Sequence, residues 1–165
     1  MMKTTAFLAV AALAASAPLM AQEAQKITLL GQVQSNCSVG DPGSSGDLDF
    51  GTVGGTASAD FSGIDLRCNS ANGVTVVLTS RNGALQAGNV NAVNYQATLT
   101  APEVDLVLFL EVDNRGRGTD NREILPASPA LSAGTTANLN ITVPSTPAFS
   151  GVYTDDLTIS VISGG

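Results

Sequence analysis

The chain reads as an all-β protein, a sandwich or barrel of short strands, and three observations predict this. Apolar residues alternate with polar ones at period two in segment after segment, the spacing of a strand with one buried face. Asn72-Gly73, Asn82-Gly83, Gly88-Asn89 and Ala133-Gly134 fall between these segments, and such pairs favour the turns that reverse a chain. Beyond the N-terminal segment no sustained helical period occurs. "EILPASPALSAG" (residues 123–134) contains two prolines and has room for a helical turn or two at most.

The N-terminal segment stands apart from the fold. "MMKTTAFLAVAALAASAPLMA" (residues 1–21) carries Lys3, an apolar run from Ala6 to Leu13 and then small residues, which is the pattern of a secretory signal peptide. Cleavage after Ala17 would leave Pro18 at the next position, so the cut is placed after Ala21, with Ala24 as the alternative. The apolar run is shorter than the ~20 residues that span a bilayer as a helix. Roughly 140 residues remain, one domain by length and enough for a real core.

In order along the mature chain, "QKITLLGQVQSNCSVG" (residues 25–40) comes first. It alternates through Ile27, Leu29, Gly31 and Val33 and reaches Cys37, so it predicts a strand at the very start. "DPGSSGD" (residues 41–47) is a flexible loop. "GIDLRC" sets Ile64, Leu66 and Cys68 on one face; "VTVVLTS" does the same with Val74, Val76 and Leu78, and "NYQATL" with Tyr95, Ala97 and Leu99. "VDLVLFLEV" aligns Val104, Leu106, Leu108, Leu110 and Val112, while Val107 and Phe109 make its other face apolar too. That strand is expected to be covered on both faces for part of its length. "EVDNRGRGTDNRE" (residues 111–123) is expected to be an exposed hairpin loop. "ANLNITV" aligns Leu139, Ile141 and Val143, and "DDLTISVI" aligns Leu157, Ile159 and Val161. Only Ser163, Gly164 and Gly165 follow, so this strand's missing neighbour is expected to be an earlier strand or another chain. Phe50 and Tyr153 are expected to fill core or a corner between sheets, with the tyrosine hydroxyl paired to backbone.

The chemistry-bearing residues exclude more than they suggest. Charged residues make up 13% of the chain, with 7 basic against 14 acidic, so there is no electrostatic footprint for nucleic acid. There is no histidine, which removes Ser-His and Cys-His nucleophile systems. The two cysteines, Cys37 and Cys68, together with an export signal, predict one disulfide; without histidine or a CxxC pair a metal site is disfavoured. Glu103 with Asp105, and Glu111 with Asp113, are paired carboxylates at i, i+2 of an expected strand, which reads as a solvated face. Around Asp113, Asn114 and Asp120 the spacing of a calcium loop is absent, and Arg115 and Arg117 stand where ligands would be. Aromatic residues are 4% of the chain and tryptophan is missing, so a sugar-stacking platform has little support. No cofactor and no enzymatic activity are expected.

Three motifs stand in order: "NCSVG" after the alternating segment; "LDFGTV", with "IDLRCNSANGVTVVLTS" beyond it; and "FSGVYTDDLTISVI" at the C-terminal end. This ordered set with its cysteine pair resembles the spore coat protein U domain family, which includes subunits of archaic chaperone-usher pili. The likeness covers Gly31 to Leu78, is thinner around "VNYQATL" and returns from Leu139 to Ile162; residues 100–135 match no motif. The resemblance implies an immunoglobulin-like β-sandwich, incomplete because it lacks its last strand, and completed by donor-strand exchange. It implies a donor-strand extension at residues 22–31 and a pilin domain at 32–165. Ile27, Leu29, Gly31 and Val33 would then be the donor residues, and Leu157, Ile159 and Val161 the wall of the acceptor groove. The implied partners are neighbouring identical or related subunits, a periplasmic chaperone and an outer-membrane usher. The implied destination, through the periplasm, is a cell-surface fibre serving adhesion or biofilm formation. Reach adds to this: Val33 and Cys37 are separated by three residues, about 13 Å of chain. With Cys37 tied to Cys68, the segment is not expected to turn back along its own last strand. The alternatives are a self-contained secreted sandwich that binds a ligand through loops such as Asn114 to Arg122, or an outer coat protein.

Overall fold

The computed structural model describes residues 30–40, 56–88, 91–113, 115–144, 149 and 151–164. The signal segment, Ile27, Leu29, Phe50 and the loop 41–47 lie outside the described residues. The chain divides into two compact units, Met1–Gln32 and Val33–Gly165. Of the first, Leu30, Gly31 and Gln32 are described; they are exposed and belong to no strand.

The second unit is built from antiparallel strands: β1 (Cys37–Val39), β2 (Ala57–Cys68), β3 (Val74–Ser80), β4 (Leu85–Ala87), β5 (Asn91–Val93), β6 (Tyr95–Ala101), β7 (Leu106–Val112), β8 (Thr119–Leu125), β9 (Thr135–Val143) and β10 (Leu157–Ser163). One five-stranded sheet runs in the order β1-β2-β9-β6-β7 and a three-stranded sheet in the order β10-β3-β8, with β4 and β5 as a small hairpin. The one helix among the described residues, α1 (Pro129–Ala133), starts at Ser128, whose Oγ accepts the Leu131 amide at 3.1 Å. Helical structure is thus confined to a turn or so, as two prolines in the segment dictate.

The inward rows of both sheets meet in one core. Val74, Val76 and Leu78 of β3 face Leu99 of β6, Leu108 of β7 and Leu66 of β2, all fully buried. This is the sandwich that the period-two pattern predicts. β2 and β3 are joined by the Asn72-Gly73 turn, where Gly73 has φ +88 and a Cβ would stand 2.6 Å from the Leu125 carbonyl oxygen. Positive φ and this close approach together leave room only for glycine.

Four expectations need correction. β2 is twelve residues long, twice the segment "GIDLRC". Its pairing with β9 shifts between Phe61 and Ile64, so inward positions pass from Ala57, Ala59 and Phe61 to Ile64, Leu66 and Cys68. A bulge at Ser62-Gly63 changes the parity and hides the first half of the strand from a period-two reading. β7 is not covered on both faces: it is an edge strand, and Val107 and Phe109 are 66% and 43% exposed on its outer face. Val104 is not in it but in a 3-10 turn (Pro102–Val104) closed by Asp105 at φ 53. Glu103 and Asp105 are therefore not carboxylates aligned on a strand; Glu103 accepts the Thr135 hydroxyl at 3.0 Å. The stretch 111–123 is not one loop. β7 runs to Val112, and β8 takes up Thr119 and pairs with β3 along its whole length. Its residues Asp120, Asn121, Arg122 and Glu123 are exposed, which is the dress of an edge strand and the reason the sequence reads as loop.

Candidate functional site

The three-stranded sheet has two edges, and they differ in kind. β3 lies in the middle, and its register with both neighbours defines four inward rows. The row nearest Gly164 is Ser163–Val74–Leu125, with Leu125 buried; the other three are Val161–Val76–Glu123, Ile159–Leu78–Asn121 and Leu157–Ser80–Thr119. The central members are buried. On the β8 side these three rows end in a carboxylate, an amide and a hydroxyl. Asn121 also donates its side-chain amide to the Phe109 carbonyl at 2.6 Å, occupying an acceptor on the edge of β7. On the β10 side the same rows end in valine, isoleucine and leucine. Val161, Ile159 and Leu157 pack against the core yet remain only half-buried. Burial is lost within one strand spacing, and no described strand pairs with the outer edge of β10.

The five-stranded sheet is open on the facing side. β1 pairs with the end of β2 alone, Cys37 with Cys68 through Val39 with Leu66, followed by a Gly40 amide to Asp65 carbonyl bond of 2.6 Å. From Ala57 to Ile64 the outer edge of β2 has no partner among the described residues, and Ala57 and Phe61 are half-buried like their counterparts on β10. Two half-buried apolar rows, one from each sheet, thus border the same side of the sandwich. An extended segment of about five to seven residues matches the length of such an edge, and every second side chain would enter it.

The start of β10 is fixed by a polar knot. Asp155 accepts the Ser80 hydroxyl at 2.5 Å, the Tyr95 hydroxyl at 2.6 Å, the Asn82 amide at 2.9 Å and the Asp156 amide at 2.8 Å. Ser80 in turn takes the Gly83 amide at 2.9 Å. Burial first, then the Asp155 carboxylate beside it, raises the Tyr95 hydroxyl pKa well above that of a free tyrosine, against a smaller lowering by Ser80. Just ahead, Gln86 and Thr154 exchange two backbone bonds of 2.9 Å, and the Tyr153 hydroxyl donates to the Phe149 carbonyl at 2.8 Å, the backbone pairing expected of it. The far end of β10 is fastened too: the Gly164 amide donates to the Gly73 carbonyl at 2.8 Å. The open edge is therefore a rigid one, pinned at both ends.

Of the residues singled out from sequence, the disulfide pair is joined, Cys37 to Cys68, across the β1–β2 ladder. Leu157, Ile159 and Val161 share the inward face of β10. Gly31 and Val33 lie ahead of the first strand, which begins only at Cys37, and Val33 is 84% exposed. Sequence reading missed Phe61, hidden by the bulge, and the Asp155 knot. The signal for the knot was the doubled acid Asp155-Asp156 directly before an apolar strand, an unusual place for charge unless a partner waits. A depression of about 290 Å³ lies beside the disulfide, lined by Asn69, Ser70, Ser128 and Ser132 among others, small neutral groups with no reactive set. Arg67–Asp65, Arg81–Asp156 and Arg122–Asp120 are ion pairs at the surface, where such pairs contribute little. No protein-family model matches the chain, and no curated protein matches it.

Proposed function

We propose that the protein is a structural subunit of an extracellular fibre, of the spore coat protein U and chaperone-usher pilin kind, polymerising by donor-strand exchange. One observation carries the reading: the two middle inward rows of the smaller sheet, through Val76 and Leu78, end in Asn121 and Glu123 at one edge and in Ile159 and Val161 at the other. Natural sheets protect exposed edges with charge, inward-pointing polar groups or cover. β8 is protected in that way; β10, "LTISVIS", carries no charge at all. An edge left apolar is an edge meant to be covered.

The occupant is the N-terminal segment of a second copy, with Ile27 and Leu29 entering between β10 and β2. Burying two such side chains contributes about 3–6 kcal/mol, beyond the backbone ladder itself. Each contact is heterologous, so the product is an open filament. Before assembly, a periplasmic chaperone covers the same edge and an outer-membrane usher receives the subunit. Secretion agrees with the disulfide, since such bonds persist in oxidising compartments.

Deleting Ala24 to Leu30 tests the reading. Unboiled detergent gels of the exported protein are expected to show a polymer ladder for the unaltered chain and none for the deletion. A ladder that survives the deletion overturns the proposal. A stable soluble monomer made without any chaperone, and no less stable after the deletion, favours a self-contained binding module instead.

A further inference from the structure

We propose that Asn69 is a positioning residue for assembly: it holds the root of the N-terminal extension so that the extension enters another copy's groove and not its own. The inference rests on the fibre-subunit reading above. Asn69 follows the last residue of β2. Its Oδ1 accepts the Asn36 amide at 2.6 Å, its Nδ2 donates to the Gln34 carbonyl at 3.1 Å, and its own backbone amide donates to the Asn36 carbonyl at 3.2 Å. The side-chain amide acts as one more peptide unit, extending the β1–β2 ladder a rung past Cys68. A carboxamide offers the donor and the acceptor together. Gln34, Ser35 and Asn36 are exposed, so burial does little to hold them there.

Direction gives this clamp its consequence. β1 begins opposite Cys68, and β10 ends at the same end of the sandwich, where the Ser70 hydroxyl donates to the Gly164 carbonyl at 3.4 Å. Traced back from Cys37, the chain leaves the sandwich at that end, whereas the open edge of β10 lies in the other direction, from Val161 back to Leu157. To fill its own groove, the extension must reverse. A tight reversal takes about four residues. With Gln34 and Asn36 held, these are Leu30 to Val33, so Gly31 and Val33 are lost from the donor. Without the clamp, the reversal falls on Val33 to Asn36, and Ile27, Leu29 and Gly31 are all free to insert at home.

The test refolds the oxidised full-length mature chain, alone and at low micromolar concentration, and measures closed monomer against unboiled ladder. Losing two hydrogen bonds in N69A is expected to raise the ratio of monomer to polymer on the order of tenfold. N36P, which removes the amide that Oδ1 accepts and leaves Asn69 in place, is expected to shift the ratio the same way. Both should keep the disulfide and the melting midpoint of the unaltered chain, which a merely structural role would not. If the unaltered chain forms ladders and both variants partition as it does, the clamp inference is overturned and the fibre reading stands. If the unaltered chain forms no ladder at any concentration, the fibre reading is overturned and the inference with it.

Discussion

Asp155 concentrates more bonding than any other side chain described here. It receives two hydroxyls and two amides, from β3, from the turn after it, from β6 and from its own neighbour. Replacing it by alanine strands Ser80, Tyr95 and the Asn82 amide together, and D155A is expected to lose about 2–4 kcal/mol, read from urea unfolding. Y95F removes a single donor and is expected to lose about 1 kcal/mol. The two variants also separate by pH. Tyr95 binds its proton more tightly folded than unfolded, so its contribution is complete below the ordinary tyrosine pKa of 10.0 and is lost as pH rises above it. Stability of the unaltered protein should therefore fall above about pH 10 more steeply than that of Y95F. Equal alkaline slopes would count against the burial of this hydroxyl. Tyr95 was legible in the sequence as the first inward residue of "NYQATL", but its partner was not. Asp155 is 60 residues away, and no local pattern pairs a strand-end tyrosine with an acid that distant.

Strands whose two faces differ were legible, and strands at edges were not. β3, β6 and β9 each present a clean alternation because one face is packed and the other is less buried. β8 escaped because Thr119 to Glu123 are polar on both faces, and its pairing with β3 comes from a neighbour that the local sequence does not display. β7 misled in the opposite sense: apolar residues at Val107 and Phe109 suggested cover that an edge position does not provide. The acceptor edge was half legible. Leu157, Ile159 and Val161 stand out in sequence, but Phe61 across from them lies behind a change of parity. The contrast between the edges makes a paired prediction. I159K puts a charge where the rows open, and it should abolish the polymer ladder while the isolated domain keeps its unfolding midpoint within about 1 kcal/mol, since the position is half-buried. N121V with E123V does the converse by making the β8 edge apolar. Light scattering should then rise in the folded protein, because a second unprotected edge invites pairing out of sequence. A double variant that stays monodisperse would show that the polar row ends are not what keeps β8 free.

At the scale of the whole molecule, one end of the sandwich gathers three features: the disulfide, the start of β1 and the close of β10 at Gly164. The pairing itself followed from two cysteines and an export signal; its place at the end of the sandwich did not, because nothing in the spacing says where two strands end. Cys37 and Cys68 are 31 residues apart, and closing a loop of that length is expected to contribute about 3–4 kcal/mol by restricting the unfolded chain. The same bond anchors β1, a strand of three residues that has little ladder of its own. Its loss should thus act twice. The double variant C37S/C68S is expected to unfold at lower urea concentration by about that free energy, and β1 should open before the rest, seen as hydrogen exchange at Ser38 and Val39 far faster than at Val76 and Leu78. If β1 exchanges together with β3 in the variant, the short strand is held by packing of Val39 and not by the sulfur bridge. In that case the bridge acts on the unfolded chain alone, and the loss should appear in global stability with no local opening at all.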